Sequence, residues 1–142
     1  MGFLICPRTA TFSFARVPEL KLDGLLFPSA DAHLLEGKHK GRNWGFGAKH
    51  IWAEHHLEMA KFALYSLEDV PIFVQKVVQP NTPLHYEGGP QHNKRVIAVR
   101  SHSGTAVLEW REHHDLEFWS IVTVYLSKNP RGQRIGRLVS SK

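Results

Sequence analysis

Ten histidines stand in this chain of 142 residues, and His50 and His55 are the pair best placed for acid–base chemistry. Histidine's proton affinity lies nearest neutral pH, so it gives and takes protons under ordinary conditions. Both residues follow the sequence GFG, near the start of an expected helix. A helix start offers unpaired N–H groups that favour phosphate. A histidine there can pass protons to and from a bound phosphodiester, although His55 taken alone equally suits packing on an apolar stripe.

Other chemistries fit the residues less well. Two helical histidines with Glu54 invite comparison with metallopeptidases, but HExxH is absent and the inverted HxxEH would need histidine where Ile51 stands. The adjacent pairs His55–His56 and His113–His114 diverge on a helix or a strand. No metal or cofactor is therefore expected. There is no GxSxG, and GRNWGFG is neither a Walker loop nor GxGxxG. The single cysteine, Cys6, excludes an intramolecular disulfide and cysteine-rich zinc modules.

Metal-free RNA cleavage needs a base for the 2′-hydroxyl, an acid for the leaving 5′-oxygen, and donors for the charge that builds on phosphate. His50, Lys40, Thr123, Tyr125 and Arg131 or Arg134 are candidates for those parts. Thr123 and Tyr125 lie two apart on an expected strand and so share a face, although both residue types favour strands in any case. Lys38, Lys40, Arg42 and Lys49 surround a glycine-rich stretch in which only Glu36 opposes them. The tail from Ser127 carries Lys128, Arg131, Arg134, Arg137 and Lys142 and no acid; it equally suits a solvated edge. Lys plus Arg number 18 against 13 acids, a formal charge of +5. Such a field favours polyanions, nucleic acid among them.

The elements that must position these groups read as α+β. Residues 1–30 lack a period and carry Pro18, Gly24 and Pro28, an irregular lead-in or linker. Residues 31–142 form the domain. A helix is expected over Lys49–Leu64, from Ile51, His55, Met59 and Phe62 at helical spacing. Ser66 to Asp69 reads as a second helix start, with an apolar face through about Val78. HYEGG, NKRVIAVRS, GTAVLEWRE and LEFWSIVTVYL then read as strands, FWSIVTVYL as a central one. Helices first and an antiparallel sheet afterwards define the expected architecture. No stretch is apolar enough to span a bilayer, and Pro7 and Arg8 interrupt the opening residues too early for a signal peptide.

KHKGRNWGFGAKHIWAEH, SLEDVPIFVQKVV, FWSIVTVYL and IGRL, in that order, resemble the barnase/EndoU/colicin/RelE-like nuclease superfamily. The nearest branch is that of phage-associated proteins and of the C-terminal toxin modules of contact-dependent inhibition proteins. The likeness covers roughly residues 31–138. It implies N-terminal helices packed on a twisted antiparallel sheet and a metal-independent ribonuclease, often a tRNase. It further implies action in the cytoplasm of a target bacterium, delivery as the C-terminal part of a larger secreted protein or a free-standing form, and neutralisation by a cognate immunity protein. The family's G-x-G-x-x-H-I-x-x-x-H pattern falls on Gly45, Gly47, His50, Ile51 and His55, its preceding lysine on Lys38 or Lys40, and its strand T-x-Y on Thr123 and Tyr125. The resemblance thereby assigns acid–base work to His50, charge stabilisation to Lys40 and hydrogen-bond donation to Thr123 and Tyr125. Glu54 departs from the pattern, since relatives often carry a basic residue before the second histidine.

The expectation is an endoribonuclease toxin with Lys38, Arg42, Lys49, Arg131 and Arg134 holding RNA. Two other readings stand beside it. One is a non-catalytic RNA-binding module stacking bases on Trp44, Phe46 and Trp52. The other is a basic domain docking an acidic protein.

Overall fold

Seven strands precede the first helix, and the first five are β1 (Phe3–Leu4), β2 (Ser13–Val17), β3 (Leu20–Leu22), β4 (Leu25–Phe27) and β5 (Ala30–Leu35). The computed structural model describes residues 2–86, 96–113, 115–127 and 132–141. The sequence predicts an irregular lead-in over residues 1–30, and the structure corrects this. Pro18, Gly24 and Pro28 cut the segment into strands of two to five residues, too short to display a period. Long-range pairing organises them instead: Ala15 faces Ala32 and Val17 faces Ala30 across β2 and β5. Phe14, Ala15, Val17 and Phe27 are fully buried.

A hairpin follows, β6 (Lys38–Gly41) and β7 (Trp44–Phe46), and runs directly into α1 (Gly47–Ala60). A 3-10 turn (Leu67–Asp69) leads into α2 (Val70–Gln75), so both expected helices form, with shorter bounds. At that second start Asp69 caps backwards, accepting from the Tyr65 N–H and the Ser66 hydroxyl. The remaining strands are β8 (Pro83–Tyr86), β9 (Val96–Ser101), β10 (Gly104–His113), β11 (Leu116–Tyr125) and β12 (Gln133–Arg137). The basic tail thus supplies an edge strand, paired with β8.

Among the described residues, the main sheet has the order β1-β5-β11-β10-β9-β8-β12, with β2 also on β5. The fold is mixed α+β, mostly sheet with two helices. The sheet is not wholly antiparallel as expected: β11 runs parallel to β5, with Trp119 beside Ala32 and Ser120 beside His33. No local pattern encodes this pairing, because it joins segments far apart in sequence. β11 lies inside the sheet, between β10 and β5, as its apolar run suggests.

One sheet face packs on the helices. Leu108 pairs with Ile121 and Ala106 with Val124, all buried, and Ile51 and Met59 of α1 and Val70, Phe73 and Val74 of α2 complete the same core. The Trp119 indole N–H donates to the Pro28 carbonyl at 2.9 Å, tying the central strand to the N-terminal segment. Among the described residues no helix is long and apolar enough to cross a membrane.

If residues 1–30 belong to the core, Phe14→Ala costs about 3–5 kcal/mol, the usual range for emptying a buried phenylalanine site. Urea denaturation measures it. A loss below about 1 kcal/mol, typical of a surface change, would make the segment an appendage.

Candidate functional site

The β10–β11 ladder contains one extra residue. Val107 pairs with Thr123, yet the next residue of β10, Leu108, pairs with Ile121, leaving Val122 as a bulge. Alternation would otherwise set Thr123 and Tyr125 on the core face with Trp119 and Ile121. The bulge turns them to the opposite face, beside Ser120, and sends Val124 into the core.

Register extends that polar face across the sheet. Thr105 is the direct partner of Tyr125, and Arg100 the partner of Thr105. His85 pairs with Ala98, and Arg134 with His85. Arg111 lies on the same face, its guanidinium 4.6 Å from the Phe46 ring centre and near the Glu109 carboxylate. The hydroxyls of Ser120 and Thr123 are buried and have no hydrogen-bond partner among the described residues. Such groups are costly unless something else satisfies them.

Helix α1 borders this face. Glu58 Oε1 accepts from the Leu126 N–H at 2.7 Å, and the other carboxylate oxygen meets His55 Nδ1. The His55 ring stands 5.8 Å from that of Tyr125. The helix kinks at His55 (φ −131°, ψ 15°), where these contacts converge.

One turn earlier, His50 Nδ1 lies 3.1 Å from Nδ1 of His39, with the rings stacked at 5.3 Å. One nitrogen must donate and the other accept, so the two rings cannot both be imidazolium while this contact holds. The β6–β7 hairpin makes the approach possible. Gly45, the partner of His39, has φ +151°, and a side-chain carbon there would come within 2.4 Å of the Lys38 carbonyl and 2.8 Å of His50 Nδ1. Asn43 turns the hairpin at φ +58°, and its N–H donates to Glu54 at 2.6 Å.

Burial holds the His50 pKa below the ordinary histidine value; Glu54 raises it in part, while His39 and His55 lower it further. The Glu54 carboxyl is held low, first by the Asn43 N–H and then by the same three histidines. His50 is 4 % exposed, whereas His39 is open to solvent. The pair therefore joins an exposed imidazole to a buried one.

The structure sets His55 beside Tyr125 and His50 against His39 on the same helix, and it places Thr123, Tyr125 and Arg134 on one sheet face. Lys38, Lys40 and Arg42 are exposed on the hairpin, with Lys40 Nζ 5.6 Å from the Trp44 ring centre. Lys49 is not part of the cluster: it lines a separate hollow of about 280 Å³ with Leu4, Glu36 and Leu67. Arg131 lies outside the described residues. The helix start is not an open anion cradle, because Gly47 and Ala48 are buried and the Lys49 N–H donates to the Glu36 carbonyl at 2.9 Å.

Sequence reasoning missed His39 and Glu58. The R-N turn flanked by Gly41 and Gly45 signals a hairpin that places His39 near the helix, and Glu58 stands three residues after His55, within helical reach. Among the described residues no group of three or more metal-ligating side chains is arranged to hold an ion. The chain matches no protein-family model, no curated protein and no solved structure.

His50 gives a pH signature. Its folded pKa is lowered, so the unfolded chain binds more protons below about pH 6.5, the unperturbed histidine value. The stability from a neutral His50 is full above that pH and is lost as pH falls toward the folded pKa. Thermal melts at stepped pH should show His50→Asn less acid-sensitive than the parent over this window; parallel profiles would contradict the assignment.

Proposed function

We propose that this chain is a metal-independent endoribonuclease that cleaves by attack of a ribose 2′-hydroxyl on the adjacent phosphate. The products are a 2′,3′-cyclic phosphate and a 5′-hydroxyl. The observation that carries the reading is His55 standing against Tyr125 of a basic sheet face, on the helix that also carries His50 paired with His39.

The parts fit the reaction. A histidine kept neutral at physiological pH is suited to accept the 2′-hydroxyl proton, and the His39–His50 contact gives a buried base an exposed partner. His55, held by Glu58, is the acid that protonates the leaving 5′-oxygen. Thr123 and Tyr125 donate to the phosphate oxygens, and Arg111 and Arg134 hold the strand along the face. Lys40 and Trp44 offer a charge and a ring for a neighbouring nucleotide.

The expected superfamily, the barnase/EndoU/colicin/RelE-like nucleases, accords with this reading through the order of its motifs along the chain. On that basis we also propose tRNA as the target, a toxin role inside a target bacterium, and a dedicated immunity protein.

A second reading is a non-catalytic RNA-binding module. It is favoured by Trp44, 66 % exposed on a basic hairpin, an arrangement suited to stacking a base.

Incubation with total tRNA in EDTA, followed by mapping of fragment ends, separates the two. Discrete fragments with cyclic-phosphate ends are expected, and a DNA strand of the same sequence should stay intact because it lacks the attacking hydroxyl. His50→Ala and His55→Ala should each lower the rate by about 10²–10⁴-fold with unchanged circular dichroism. Salt-sensitive binding without any fragment would select the binding module.

A further inference from the structure

A second cavity lies next to the site. A cleft of about 620 Å³ opens where the turn between β9 and β10 meets the segment joining α2 to β8. That volume lies within the usual range of small-molecule sites. Lys76 and Asn81 stand on one wall, and Arg100, His102 and Ser103 on the other, above the buried Thr105, whose hydroxyl donates to the Ser127 carbonyl at 2.8 Å. Its described lining contains no carboxylate. Such a set of ammonium, guanidinium, imidazole, amide and hydroxyl groups is chemistry for an oxyanion.

The cleft also continues the polar face. Thr105 is paired directly with Tyr125, and Arg100 with Thr105, so both share the face of Thr123. The Lys76 ammonium also stands 4.8 Å from the ring centre of Phe62, which lies outside the cleft lining.

We infer that this cleft is a phosphate subsite for a neighbouring nucleotide of the same RNA strand whose scissile phosphate lies at Thr123 and Tyr125. The inference rests on the ribonuclease reading for its substrate, but its test does not require cleavage. The cleft would favour longer strands over dinucleotides by adding one phosphate contact remote from the reacting bond.

Fluorescence anisotropy with a ten-nucleotide, 2′-O-methyl RNA, which no 2′-hydroxyl attack can cut, reads the subsite directly. Lys76→Ala should weaken binding several-fold and lower the slope of log affinity against log salt by about 0.7, the value for one phosphate contact on a single strand. His102→Ala, an exposed turn substitution, should weaken the ten-nucleotide probe and leave a dinucleotide unaffected. Parental affinity and salt slope in both variants would overturn the subsite, even if the parent cleaves tRNA. Weakened binding in both variants, with no cleavage of natural tRNA by the parent, would keep the subsite and sink the ribonuclease reading.

Discussion

Strand β11 must satisfy two demands that simple alternation cannot meet together. The core requires Trp119, Ile121 and Val124, and the last two are an odd number of residues apart. A pleated strand sends residues three apart to opposite faces. The single extra residue at Val122 reconciles them. Its other consequence is chemical, because the parity that buries Val124 also carries Thr123 and Tyr125 to the opposite face, where the Thr123 hydroxyl is buried without a partner among the described residues. Core packing and site construction are therefore one constraint, and the donors sit on a rigid internal strand rather than on a loop.

The helix is fixed to that strand by Glu58. One carboxylate oxygen satisfies the Leu126 N–H and the other orients His55 beside Tyr125. From there α1 leads back to His50, and the β6–β7 hairpin closes over it with His39. The cluster balances opposing influences: burial and neighbouring histidines disfavour protonation of His50, and Glu54 moderates them. A neutral imidazole is thus held against an exposed one while its own surroundings stay largely dry.

Much of this was legible in the residues. The 3.6-residue spacing of Ile51, His55 and Met59 marks α1, and the β-branched and aromatic runs mark β9, β10 and β11. The shared face of Thr123 and Tyr125 follows from their spacing, since the bulge lies just before both. What escaped depends on distant partners. The strands within residues 1–30 are too short to show a period, and pairing with β5 defines them. The parallel β5–β11 contact has no local signature. His39 gains its role only because Gly45 permits a close approach. The helix start, where Gly47 and Ala48 are buried and the Glu36 carbonyl takes the Lys49 N–H, does not offer the expected N-terminal phosphate site, and this cannot be read from the helix itself.

The proposed ribonuclease function requires nucleic acid on the sheet face bearing Thr123 and Tyr125. The most direct measurement is chemical-shift mapping of isotope-labelled protein with a short 2′-O-methyl RNA. Perturbations centred on Thr123, Tyr125, His55 and Arg111 are expected, with the core side of α2 unmoved. Perturbations confined to the surface around Lys49 and Leu67, with Thr123 and Tyr125 unchanged, would contradict it.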